Sequence, residues 1–158
     1  MKRLLVLAAL LAFVMFPVPA SGATPAASIG VDGVRLLAKG LVAVDVTVTC
    51  QRPVTNVYRH AEFDGPFVSV DIVQAIGSRH AYGWGWADLD AAALCDGASH
   101  AMSLLVVGTP DFRPLKPGRA IVSVAMDASY YWWNDRTGAD GYVSQSATTD
   151  PVVYRIRR

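Results

Sequence analysis

The run Tyr130-Tyr131-Trp132-Trp133-Asn134-Asp135-Arg136 places four rings beside an amide, a carboxylate and a guanidinium. Flat rings stack on sugar faces or on apolar patches of another protein, and neighbouring polar groups orient the contact through hydrogen bonds. If the alternation of the preceding residues continues, Tyr130 and Trp132 follow Met126 and Ala128 inward, and Tyr131 and Trp133 point outward. Tyr131, Trp133, Asn134 and Asp135 are therefore the candidate ligand-binding residues. The competing assignment has these rings closing one end of the core, which is the commoner use of large aromatics.

A second aromatic array lies in Arg79 to Ala87, where His80, Tyr82, Trp84 and Trp86 alternate with Ala81, Gly83, Gly85 and Ala87. A ridge of rings on one strand face serves either as a ligand platform or as the inner face of a sandwich. The second is the reading taken here, because large rings usually go inside.

Other chemistry finds little support. Asp135 to Gly141 holds two acids and two glycines but lacks the ligand spacing and terminal Glu of a calcium-binding EF-hand loop. The three histidines, His60, His80 and His100, have no close helical spacing of the zinc-binding kind. No Gly-x-Ser-x-Gly elbow is present, and Asp88 and Asp90 fall in an expected loop. No catalytic residue, metal ligand or cofactor is assigned.

The elements that must position these groups are strands. Val42 to Cys50 alternates strictly, with Val42, Val44, Val46, Val48 and Cys50 on one face, and is the anchor of the expected sheet. A first strand over Ile29 to Leu37 is interrupted by Asp32-Gly33, and Lys39-Gly40 is a turn. Gln51 to Pro66 reads as a long polar connection, with a short strand conceivable over Thr55 to Tyr58. Alternation returns over Phe67 to Ile76, with Val68, Val70, Ile72, Gln74 and Ile76 on one face. Gly77-Ser78 then turns directly into the aromatic strand. A helical turn over Asp88 to Ala93 and a turn at Cys95-Asp96-Gly97 precede a strand over Ala101 to Val107. After a loop from Gly108 to Gly118, Arg119 to Tyr130 alternates with Ala120, Val122, Val124, Met126 and Ala128 inward. Pro151 to Arg157 supplies a last short strand.

About seven strands and no long helical period predict an all-β antiparallel fold, an immunoglobulin-like sandwich first and a small Greek-key barrel second. No Trp closely follows Cys50 and no Tyr stands two residues before Cys95, both of which depart from a true immunoglobulin domain.

The chain opens with Lys2-Arg3, an apolar run from Leu4 to Phe16, and small residues through Ser21-Gly22-Ala23, the pattern of an export signal. Residues 1–23 are read as signal peptide and 24–158 as one domain, with Thr24 the expected first residue after cleavage. The apolar run is shorter than the about 20 residues of a spanning helix, and no later segment approaches that length. The whole chain carries 14 basic and 13 acidic residues, and without residues 1–23 it carries 12 and 13. Such a balance exerts no general pull on nucleic acid or anionic lipid. In an exported protein the only two cysteines, Cys50 and Cys95, pair as a disulfide. Closing that loop is worth about 4 kcal/mol in the chain-entropy treatment.

Val46-Thr47-Val48-Thr49-Cys50, Gln74, Gly83, Gly85, Cys95-Asp96-Gly97, and Phe112 followed by Pro117-Gly118-Arg119-Ala120 together resemble the small exported sandwich proteins of actinobacteria. The resemblance implies secretion, the disulfide and a non-catalytic role, and carries over no functional residue. The expected function is a secreted binding module of the cell envelope or extracellular space, acting on a glycan or a protein partner. The alternative is a small secreted hydrolase or inhibitor whose site is assembled from loops.

Overall fold

The structure, a computed structural model, describes residues 27–51, 60–90 and 94–158. The expected signal peptide, Thr24 and the conceivable strand at 55–58 lie outside the described residues. Eight strands follow in chain order: β1 (Ser28–Ala38), β2 (Leu41–Gln51), β3 (His60–Ile76), β4 (Arg79–Asp88), β5 (Asp96–Gly108), β6 (Gly118–Asn134), β7 (Ala139–Thr148) and β8 (Val152–Ile156). They form one curled antiparallel sheet in the order β1-β2-β5-β4-β3-β6-β7, with β8 also on β6. Because β6 is long, its outer edge is divided: Gly118 to Val122 pairs β8, and Ala125 to Asn134 pairs β7. The curl brings β8 back to β1, where Leu36 N–H donates to the Arg157 carbonyl at 2.7 Å and Arg157 N–H to the Val34 carbonyl at 3.1 Å.

The anchor strand behaves as its alternation demands. Val42, Val44, Val46, Val48 and Cys50 are all buried, with Val68, Val70, Ile72, Val122, Val124 and Met126 opposite them. β-Branched chains have few rotamers to lose and pack well on a pleated surface, so a valine-rich interior suits these strands. The Asp32-Gly33 interruption of β1 is a register shift between Val31 and Gly33 and does not end the strand. Gly40 and Gly77 take positive φ of 77° and 61° at the two tight turns, a region costly for residues bearing a Cβ.

The Cys50–Cys95 disulfide is present. Cys50 lies in β2 and Cys95 directly precedes β5, and these two strands are neighbours in the sheet. The bridge therefore reinforces one strand pair, whereas the bridge of an immunoglobulin domain crosses between two sheets.

Four expectations are corrected. The polar connection ends earlier than expected, because 60–66 belongs to β3; a register shift between Asp64 and Phe67, with Gly65 at φ 85°, lets the strand continue past Pro66. Asp96-Gly97 opens β5, with Gly97 at φ 89° beside a register shift against β2. β7 was not expected at all: Ala139 to Thr148 is mostly small and polar, and its alternation is hard to see without knowing its partner. Finally, the rings of β4 face outward. Trp84 and Trp86 are 52% and 51% exposed, while Ala81, Gly83 and Gly85 are buried.

The reason for that inversion is the approach of β5. A Cβ on Gly85 would collide with the Leu105 carbonyl oxygen, and one on Gly83 would lie 2.9 Å from a Leu115 methyl. The bare face of β4 is thus the face on which the sheet folds over itself, and the rings are left outside.

Candidate functional site

β6 and β7 form a hairpin whose turn follows Asn134, and their register sets Tyr131 opposite Tyr142 and Trp133 opposite Asp140. On the other side of β6, Glu62 of β3 pairs with Tyr131. Residues directly opposed on one face of antiparallel strands hold their side chains in contact. Tyr131 and Trp133 stack with ring centroids 5.9 Å apart and planes 25° from parallel, and Tyr142 tilts against Tyr131 at 5.0 Å. Tyr142 is 76% exposed and forms the open part of the cluster, while Tyr131 and Trp133 are partly buried.

Its polar partner is Asp140. The Tyr131 hydroxyl donates to the Asp140 carboxylate at 2.6 Å, which raises the Tyr131 pKa above the ordinary phenol value, with the negative charges of Asp140 and Glu62 adding to the effect. Tyr131 consequently stays protonated, a fixed donor that holds one carboxylate beside two ring faces. The arrangement can stack a flat, polar-edged ligand and hydrogen-bond its rim.

The four candidate residues divide. Tyr131 and Trp133 share the outward face as expected. Asn134 serves the turn, its side-chain carbonyl accepting from the Arg136 N–H at 3.1 Å. Asp135 is exposed within that turn. On the opposite face Tyr130 is fully buried, its hydroxyl donating to the Gln51 carbonyl. The Trp132 ring lies over Gly141, where an added Cβ would meet the indole at 3.2 Å. Of the two even-numbered rings Tyr130 is buried and Trp132 is partly buried, as are Tyr131 and Trp133 on the other face. Tyr142, Asp140 and Glu62 were missed, because each joins the cluster only through strand pairing.

Elsewhere, Nε2 of His100 contacts the Asp96 carboxylate at 2.8 Å, and the Ala98 N–H donates to that same carboxylate. Both bonds hold the Asp96 pKa below its ordinary value. His80 is exposed on β4. No group of three or more His, Cys, Asp or Glu side chains able to hold a metal ion occurs among the described residues. No helix there is long and apolar enough to cross a membrane. Comparison of the chain with family models, curated proteins and solved structures finds no match.

Proposed function

We propose that the protein is an exported, non-catalytic binding module of the cell envelope or extracellular space, and that Tyr131, Trp133 and Tyr142 form its glycan-binding surface. The observation that carries this reading is the stacked, outward ring pair with the Asp140 carboxylate held beside it by Tyr131. Ring faces left open by the cluster can pack on the apolar face of a sugar, and an adjacent acid accepts from its hydroxyls. The disulfide supports an oxidising compartment, as does the signal-like start of the chain. The resemblance to small exported sandwich proteins points the same way.

The test is a glycan screen with the chain from Thr24 onward, repeated with Trp133→Ala and Tyr142→Ala. Both positions lie on the outside of a hairpin, so the variants are expected to fold with melting temperatures close to the parent and to lose glycan binding by tenfold or more. Unchanged binding in both, or collapse of the Trp133→Ala fold, overturns the reading.

A further inference from the structure

At the other end of β6 the outer sheet face has a two-row pattern. Register places Tyr82, Val73, Ile121 and Val153 in one continuous row across β4, β3, β6 and β8. Val73, Ile121 and Val153 are each more than a third exposed, and Trp84 flanks the row on β4. The next row outward runs from His80 through Ala75 to Arg119 and Arg155, the last two paired across β6 and β8. Both arginines are exposed, and neither has a carboxylate within ion-pair distance among the described residues.

Two shallow hollows join these rows. One, of about 570 Å³, lies between Trp84, Tyr82 and Phe112; the other, of about 330 Å³, lies between Val73, Ile121 and Arg119, and they share Val73 and His80. Arg79 and Arg113 rim a third hollow with a single acid, Asp111. The near-neutral total charge hides this local excess of arginine over acid.

We propose that this face docks on an anionic lipid bilayer, with Trp84 and the valine–isoleucine row in the interfacial region and Arg119 and Arg155 against lipid phosphates. An apolar band edged by a basic row, with an indole at the boundary, is the chemistry by which proteins lie on a membrane surface without crossing it. Each arginine held near an anionic surface strengthens such attachment appreciably. A second copy fits the face less well. A two-fold contact would set arginines against arginines or against the apolar row, and of the acids at this face Asp71 already accepts from the Tyr82 hydroxyl. The surface is separate from the ring cluster at 131–142: Ile121 and Tyr131 are ten residues apart on one strand, about 33 Å. One molecule can therefore hold lipid and glycan together, and the two assignments stand or fall independently.

The experiment is vesicle co-sedimentation of the chain from Thr24 onward, which contains every described strand and omits the apolar run that would itself partition into lipid. Vesicles of pure phosphatidylcholine are compared with vesicles containing about one third phosphatidylglycerol. The expected result is binding to the anionic vesicles only, its loss at high salt, and a tenfold or greater loss in Arg119→Glu/Arg155→Glu. Trp84→Ala should weaken binding without altering its salt dependence. Circular dichroism of the charge-reversed variant checks that these exposed substitutions leave the fold in place. Equal binding to both vesicle types, no binding to either, or unchanged binding of a folded double variant overturns the proposal. So does a concentration-dependent dimer that Trp84→Ala dissolves, since a second copy would then cover the face.

Discussion

The side-chain amide of Gln74 engages both backbone groups of Lys116: Nε2 donates to the Lys116 carbonyl and Oε1 accepts from the Lys116 N–H, each at 2.9 Å. Gln145 treats Gln51 in the same manner, its Nε2 donating to the Gln51 carbonyl at 2.8 Å and its Oε1 accepting from the Gln51 N–H at 3.5 Å. These are the two buried polar side chains among the described residues. Each acts as a one-residue strand partner, binding both the N–H and the carbonyl of one residue, and the Gln51 carbonyl also accepts from the Tyr130 hydroxyl.

Replacing Gln74 therefore affects a loop far along the chain. Gln74→Leu keeps the volume and removes both bonds, leaving the Lys116 N–H and carbonyl without partners and loosening the hold on buried Leu115. The expected cost is about 1–3 kcal/mol, the worth of two ordinary hydrogen bonds, since Lys116 is exposed. Urea unfolding measures it, and hydrogen exchange should show the Lys116 amide losing protection ahead of those of β2. A cost below about 0.5 kcal/mol would mean that the loop is held by other contacts.

The disulfide reinforces a strand pair that is already extensively hydrogen-bonded, from Leu41–Val107 to Thr49–Ser99. Its effect should fall chiefly on the unfolded chain. Cys50→Ala/Cys95→Ala is expected to lose about 2–5 kcal/mol while keeping the far-ultraviolet spectrum of the parent. Mass mapping of non-reduced peptides checks the pairing itself.

Gly85 faces the Leu105 carbonyl so closely that even one methyl cannot enter without moving backbone. Gly85→Ala should cost about 2–3 kcal/mol, the usual range for overpacking a site that cannot relax. Gly30→Ala is the control, because a Cβ there meets nothing within 4 Å. Thermal unfolding of the pair should separate them clearly, and equal melting temperatures would contradict the tight β4–β5 seam.

Asp45 carries the clearest acid-side linkage. Arg35 binds it through two guanidinium nitrogens at 3.0 Å, and the Ser103 hydroxyl also donates to it, so its pKa lies below the usual carboxylate value. A depressed folded-state pKa contributes stability that is present above the unfolded carboxylate range and is lost as pH falls through the folded value. Acid unfolding of Asp45→Asn should accordingly show a weaker pH dependence below about pH 4 than the parent. Tyr82, raised by Asp71, and Tyr131, raised by Asp140, work in the opposite direction. Their contribution is present below the unfolded tyrosine range and is lost as pH rises through the folded values.

Period-two alternation was legible wherever one face was uniformly apolar. β2, the second half of β3 and the first part of β6 declared both their existence and their inward residues, because a strand half in water must alternate. The cysteine pair was equally plain, since two cysteines allow a single connectivity. What the chain alone left undecided was which face of a two-valued strand goes inside. In β4 both faces were permissible locally, and only the close passage of β5 over Gly83 and Gly85 turned Trp84 and Trp86 outward. β7 was unreadable for a related reason: its polar residues acquire meaning from their partners, Tyr142 from Tyr131 and Asp140 from Trp133. Tyr131 and Trp133 could be named as outward-facing from one strand. The three-ring surface with its carboxylate, and the row from Tyr82 to Val153, exist only once strands distant in the chain are laid side by side, because contacts across a sheet are set by register and not by neighbours in sequence.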